Sequence, residues 1–214
     1  MTICVIDDGS SQIKLRTADG KTSLKFPSKV VNRPIHNIDG PIEACYGIEG
    51  KVYSVLSSSD AAERTDSENY QISDLNRVLV HEALRQAGLG GQDVILGVTL
   101  PITQYFELGK DGRPNIKRIE QKKASIMGAI ESKAKSPVAL AHIKEVYVYP
   151  EALPAAVDVM TDMVNGQMVY KPEYNDNKRV CVIDVGGHSI DIVLFESQTA
   201  NIIEQTGFEG GVIR

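Results

Sequence analysis

The chain has 214 residues, 42% hydrophobic and 24% charged, the balance of an ordinary globular protein with one large or two small domains. A net charge of −5 argues against direct nucleic-acid binding, which favours a basic face. No apolar run approaches a membrane span, the N-terminus lacks the basic-then-apolar form of a signal peptide, and the three cysteines form no CxxC or Cys/His cluster, so they read as reduced core residues of a cytoplasmic protein.

The first predicted element is a hairpin. Ile3 to Asp7 is an apolar, β-branched run ending in an acid, Asp8-Gly9-Ser10-Ser11 is the turn, and Gln12 to Leu15 alternates polar and apolar. After a turn at Ala18 to Lys21, Thr22 to Phe26 forms a third strand, and Pro27 to Pro41 is a turn-rich surface segment. Ala44–Ile48 and Lys51–Leu56, joined by Glu49-Gly50, form a second hairpin, followed by a polar, mobile loop over Ser57 to Gln71. Ser73 caps a helix buried on one side through Leu75, Val78, Leu79 and Ala83, and Gly88 ends it. The continuous apolar run from Val94 to Leu100 is a strand covered on both faces, stopped by Pro101.

Ile116 to Lys135 reads as one long basic helix, its Lys and Arg residues forming a solvated face and not a DNA contact, given the acidic total. Val138–Ile143 and Glu145–Tyr149 read as two short strands. Pro150 then opens a helix over Glu151 to Val164. A polar stretch over 166–178 marks a domain boundary. The chain closes with a hairpin over Val180 to Val193 and a strand near Asn201 to Gln205. Alternating strands and helices with antiparallel hairpins predict an α/β layer architecture with a mixed sheet.

The two terminal hairpins are alike. Cys4-Val5-Ile6-Asp7 recurs letter for letter as Cys181-Val182-Ile183-Asp184, and Gly9, Ile13 and Leu15 align with Gly186, Ile190 and Ile192. A unit used twice suggests two similar halves facing across a cleft. Glycine beside the acid allows positive φ and close approach of a ligand. The turn N–H groups can then converge on a phosphate. Asp7 and Asp184 at the strand ends can hold Mg²⁺ through its waters. The GxxxxGK[ST] phosphate loop is absent. Either hairpin taken singly is equally consistent with an acidic turn and no more; the repetition is what favours a site.

Asp7-Asp8-Gly9-Ser10 and Asp184-Val185-Gly186-Gly187 resemble the first and second phosphate motifs of the actin/Hsp70/sugar-kinase superfamily. Within it, Thr99-Leu100-Pro101, Pro150-Glu151-Ala152 and the two hairpins, in this order, resemble the ParM/StbA plasmid-segregation actins from Ile3 to about Gly211. The resemblance implies an actin-like, ribonuclease-H-like α/β fold. A first domain would cover 1–165, with a small subdomain inserted around 27–70, and a second, partial domain would cover 179–214. The family continues past this point with a Gly-rich adenine-binding loop, so the chain is expected to be a fragment. The implied function is an ATP- or GTP-dependent, Mg²⁺-requiring filament former for plasmid DNA segregation. Its expected partners are further copies of itself and a centromere-binding adaptor protein, with no direct nucleic-acid or membrane contact.

The resemblance also implies roles for residues. Glu151 would position the attacking water, with Asp184 beside it in catalysis, and Asp7 and Asp184 would hold the metal. Asp8, Gly9, Ser10, Ser11, Gly186, Gly187 and Ser189 would cradle phosphates. Lys14 lies where the superfamily's first hairpin often sends a lysine to the phosphates. His188 stands where relatives carry a hydroxyl, for which Ser189 can substitute. From the residues alone, Glu151 also fits an ordinary first helical turn, Lys14 an exposed strand lysine and Asp191 a brace of the second hairpin. Two other readings stay open: a small-molecule kinase, which needs a catalytic base beside a substrate-binding constellation, and a non-catalytic scaffold.

Overall fold

A computed structural model describes residues 1–37, 40–41, 44–57, 62–107, 112–135, 139–174, 178–187, 189–197 and 202–209. The chain separates into two compact units, Met1–Thr99 with Glu120–Val148, and Leu100–Ile119 with Tyr149–Arg214. Among the described residues no helix is long and apolar enough to cross a membrane.

The first unit begins with an antiparallel meander of β1 (Thr2–Asp8), β2 (Gln12–Thr17) and β3 (Ser23–Pro27). Its alternation sends Cys4, Ile6, Ile13 and Leu15 inward, as the two-residue period requires. The short pairs β4 (Val30–Val31), β5 (His36–Asn37) and β6 (Gly40–Pro41) follow. The hairpin of β7 (Cys45–Ile48) and β8 (Lys51–Val55) turns on Glu49 and Gly50, both at positive φ, the geometry that matches strand twist.

Helix α1 (Asp74–Gln86) starts where expected, with the Ser73 side chain accepting from the Asn76 N–H, and Gly88 at φ +71° closes it. Val78, Leu79, Ala83 and Leu84 are fully buried on it. Strand β9 (Asp93–Leu100) runs parallel to β1. After α2 (Ile102–Tyr105), α3 (Ile116–Ile126) and β10 (Glu131–Ser132) comes β11 (His142–Pro150). The main sheet has the order β11-β9-β1-β2-β3, and a second sheet the order β10-β7-β8-β4.

Several sequence expectations need correction. The basic helix stops at Ile126 and does not reach Lys135. Arg77 donates to the carbonyls of Ser125 and Ala129, and its guanidinium lies so close to Gly128 that a Cβ there would sit 2.7 Å from Cζ. Residues 131–132 pair with β7 instead. The two strands expected over 138–149 are one strand, β11, with Val138 outside the described residues. The described part of the expected loop over 57–71 is irregular and largely exposed, as expected, but Thr65, Tyr70 and Gln71 within it are buried. Cys4 and Cys45 are buried, but Cys181 is exposed.

The helix expected over 151–164 is also shorter. In the second unit α4 (Leu153–Met160) gives way to β12 (Thr161–Val164), which pairs with β13 (Gln167–Tyr170) across Asn165 and Gly166, both at positive φ. Asn-Gly is the strongest short hairpin turn, and the β-branched flank resists helix. The stretch expected as a linker, 166–178, therefore holds a strand and a 3₁₀ turn at Pro172–Tyr174. Strands β14 (Arg179–Val185), β15 (Ser189–Glu196) and β16 (Ile202–Glu209) form an antiparallel sheet. The core joins Ile102, Phe106, Ala152, Ala156 and Met160 to Val193 and Phe195. Met163, Met168 and Ile183 are all more than 60% exposed.

Candidate functional site: the two hairpin turns and the Glu151 corner

The β1–β2 turn is anchored from below. Asp8 is wholly buried. One carboxylate oxygen accepts from the Thr99 N–H (3.1 Å) and the Thr99 hydroxyl (3.3 Å), and the other accepts from the Asn76 amide (2.8 Å) and from Lys122. Lys122 is equally buried. Its other bonds go to Gln71 Oε1 (2.6 Å) and Asn76 Oδ1 (2.9 Å), so all three ammonium protons have acceptors. A buried ion pair persists when its remaining hydrogen-bonding capacity is met in this way.

The same elements hold the turn's carbonyls. Gly9 O accepts from the hydroxyls of Ser28 (2.7 Å) and Tyr70 (3.3 Å), Ser10 O from Thr65 (2.5 Å), and Ser11 O from the Ser28 N–H (3.0 Å). Burial and the neighbouring Asp8 push the Tyr70 phenol pKa up, so it remains a donor. With the carbonyls engaged, the N–H groups of Gly9, Ser10 and Ser11 are left for a ligand; among the described residues no protein acceptor takes them. Gly9 is not at positive φ, contrary to expectation. A Cβ there would lie 3.3 Å from Gln12 O, tighter than an ordinary contact, so mild crowding and not backbone conformation favours glycine.

Asp8, expected to face phosphate, is thus a brace through its side chain. Asp7 points the other way, half-exposed, and pairs across the ladder with Lys14 at 2.8 Å. Sequence reasoning missed Lys122, Gln71, Asn76, Thr99 and Thr65. One signal existed: Lys122 falls on the apolar stripe of α3, between Ile119 and Ile126.

The β14–β15 hairpin repeats the register. Asp184 faces Asp191 as Asp7 faces Lys14, and Val185 faces Ile190 as Asp8 faces Ile13. Asp184 is exposed and Asp191 is buried. Gly207 on β16 makes room for Asp191, since a Cβ there would lie 2.8 Å from its Oδ1. Gly186 and Gly187 are half-buried. His188 lies outside the described residues, and Ser189 is placed by its backbone at the start of β15.

Glu151 stands at a corner held by its own backbone. Its N–H donates to Leu100 O (2.9 Å), at the end of β9, and its carbonyl accepts from the Leu153 N–H (2.9 Å). That bond closes a γ-turn around Ala152 at φ +67°, ψ −33°, a strained form for a residue with a Cβ. The Ala152 methyl is buried in the second unit's core.

These residues fit a nucleotide with Mg²⁺. At the first turn the N–H groups of Gly9, Ser10 and Ser11 take no protein acceptor among the described residues, which suits a phosphate. Asp7 in the first unit and Asp184 in the second are each carboxylates at a strand end with surface exposure, the donor type that suits an ion keeping part of its water. Among the described residues no cage of three or more acidic, histidine or cysteine side chains is present.

The fold is that of solved actin-like proteins. An archaeal actin homolog, Ta0583, superposes with a TM-score of 0.71 at 15% identity, over 99% of this chain and 63% of that one. The Alp12 filament structure gives a TM-score of 0.60 at 22% identity, over 99% of this chain and 62% of that one. Bacillus thuringiensis ParM with ATP gives 0.62 at 14%, over 99% and 61%. The chain therefore spans about three-fifths of the length of these proteins. No curated protein sequence matches it. The family described as plasmid segregation protein ParM, N-terminal, matches residues 1–162, three-quarters of the chain and all of the first hairpin, the Asp8 brace and the Glu151 corner. By that match the chain belongs to the ParM N-terminal family.

Proposed function

We propose that this chain is the nucleotide-binding portion of an actin-like filament former that moves plasmid DNA, with ATP or GTP governing assembly. The observation that carries the reading is the Asp8-anchored turn, whose carbonyls are bonded to protein and whose N–H groups are left for phosphate. The repeat of its register at Asp184 adds a second hairpin of the same kind.

The roles are those the family resemblance implies, and each has a chemical basis. N–H groups of Gly9, Ser10 and Ser11 bind phosphate oxygens, and Lys14, held beside Asp7 in the structure, adds positive charge at the same hairpin. Gly186, Gly187 and Ser189, with His188 between them, do the same from the second hairpin. Asp7 and Asp184 would hold Mg²⁺, which would supply charge neutralisation at the phosphates. Glu151 accepts a hydrogen bond from the attacking water and aligns it; in phosphoryl transfer such positioning does most of the work. Relatives solved with ATP and as a filament support nucleotide use and self-association. The family match over 1–162 is in keeping with a first domain over 1–165, whereas the compact units of the fold place 100–119 and everything from 149 onward together. In this reading DNA is engaged through a centromere-binding adaptor, in keeping with the net charge of −5, and the protein works in the cytoplasm.

The test is light scattering with phosphate release after addition of Mg-ATP or Mg-GTP. The native protein should show a rise that decays as nucleotide is consumed. Glu151→Ala should assemble but hydrolyse on the order of 10²-fold more slowly. Unchanged hydrolysis would remove Glu151 from the mechanism, and hydrolysis without any assembly would favour a kinase-like protein of the same fold.

A further inference from the structure

Thr65 is buried, 7% exposed, in a stretch from Glu63 to Asn69 whose other members are all exposed. A polar side chain turned inward from such a stretch needs a partner inside. Its hydroxyl donates to Ser10 O at 2.5 Å, across 55 residues of chain. The stretch itself is anchored on both sides of Thr65. Before it, the Glu63 N–H donates to Val30 O (2.7 Å), and its two neighbours Arg64 and Asp66 pair through two hydrogen bonds, of 3.0 and 2.7 Å. After it, the Tyr70 N–H donates to Ser67 O (2.9 Å).

A trans peptide unit is planar, and its C=O and N–H point in opposite directions. A carbonyl that is held therefore fixes the direction of the next residue's N–H. Three successive units of the β1–β2 turn are held in this way. Asp8 O accepts from the amides of Asn76 (3.4 Å) and Gln71 (3.5 Å), and Lys122 takes the oxygens of both amides, which turns their NH₂ groups to Asp8. Gly9 O accepts from Ser28 (2.7 Å) and Tyr70 (3.3 Å). Among the described residues Ser10 O accepts from Thr65 alone. The N–H groups directed by these three carbonyls are those of Gly9, Ser10 and Ser11, the same three that have no protein acceptor among the described residues. The first two units are held by two donors each, the third by one.

We infer that Thr65 is a positioning residue for phosphate: its hydroxyl aims the Ser11 N–H at the ligand by holding Ser10 O from behind. The inference rests on the reading of this turn as a phosphate site. A water would satisfy Ser10 O nearly as well in energy, but it would follow the carbonyl as it moves. A hydroxyl on an anchored stretch keeps the unit in one orientation before the ligand arrives, so binding does not have to supply the cost of ordering it. Thr65 and the turn both lie in the first unit.

The test compares the whole chain with three variants: Thr65→Val, which keeps the shape and loses the hydroxyl, Thr65→Ser, which keeps the hydroxyl, and Tyr70→Phe, which leaves Gly9 O its bond from Ser28. NMR order parameters of the Gly9, Ser10 and Ser11 amides are measured without ligand, and Mg-ATP and Mg-GTP are titrated by calorimetry. In the native chain the Ser11 amide should be as rigid as the flanking strands, with an order parameter of about 0.85. Thr65→Val should bring it down to about 0.6 at Ser11, leave Gly9 rigid, and weaken the nucleotide that the native chain binds by about tenfold. Thr65→Ser should restore the rigidity and most of the affinity. Tyr70→Phe should lose less than Thr65→Val, because its carbonyl keeps a second donor. Native binding with Thr65→Val unchanged in affinity or in Ser11 order, a loss in Thr65→Ser equal to that in Thr65→Val, or a loss in Tyr70→Phe as large as either would each overturn this inference alone. A native chain that binds neither nucleotide would overturn the nucleotide reading and this inference with it.

Discussion

Lys122 carries a full charge at a position with no solvent exposure, and its ammonium group is satisfied by Asp8, Gln71 and Asn76. Replacing it by methionine leaves Asp8 charged and buried without its cation, which should cost about 3–5 kcal/mol in denaturant unfolding. The double variant Asp8→Asn/Lys122→Met removes both charges and should recover much of that loss; a double variant as unstable as the single one would show that the ion pair is not the source. His81 offers a second test at this scale. Its folded pKa is about 4 against an ordinary 6.5, so below pH 6.5 the unfolded chain takes up a proton that the folded chain refuses. Stability should therefore fall as pH drops from about 6.5 to 4, by ~3 kcal/mol at the lower end, and His81→Leu should flatten that slope. The turn that carries Asp7, Gly9 and Lys14 was legible because its spacing is local, although Lys14, expected at the phosphates, pairs with Asp7. Lys122 was not, because its partner Asp8 lies 114 residues away.

Among elements, both terminal hairpins and α1 were legible, since strand alternation, a two- to four-residue turn and a serine cap are short-range signals. The end of α3 was not, because Arg77 from another element takes carbonyls at its C-terminus. The corner before α4 was also hidden. Pro150-Glu151-Ala152 reads as a helix start, yet it forms a γ-turn with Ala152 at φ +67°. Ala152→Gly relieves the backbone strain but loses a buried methyl, so its stability should stay within about 1 kcal/mol of native. Ala152→Val puts a β-branched side chain at positive φ in a packed core and should lose about 2 kcal/mol or more. Thermal unfolding of the pair checks this. A valine variant as stable as native would mean that the turn relaxes at no cost and does not hold Glu151 in place.

At the scale of the whole molecule the two units differ in how well they are buried. The first has fully buried residues along α1 and β9, whereas the second exposes Met163, Met168 and Ile183. Local opening follows buried apolar contact. Amides of β12, β13 and β14 should therefore exchange with deuterium well before those of α1 and β9, and uniform exchange across both units would contradict the difference in burial. The sequence by itself determined the repeated hairpins, the acids and glycines of their turns, and the family they resemble, because these depend on period, turn chemistry and spacing within a few residues. Only the tertiary structure decided which acid faces outward and which is a brace, where α3 and α4 stop, and which residues of an expected loop pack beneath the first turn. Those outcomes depend on burial and on hydrogen-bond partners far apart in the chain, and such partners exist only once the chain has folded.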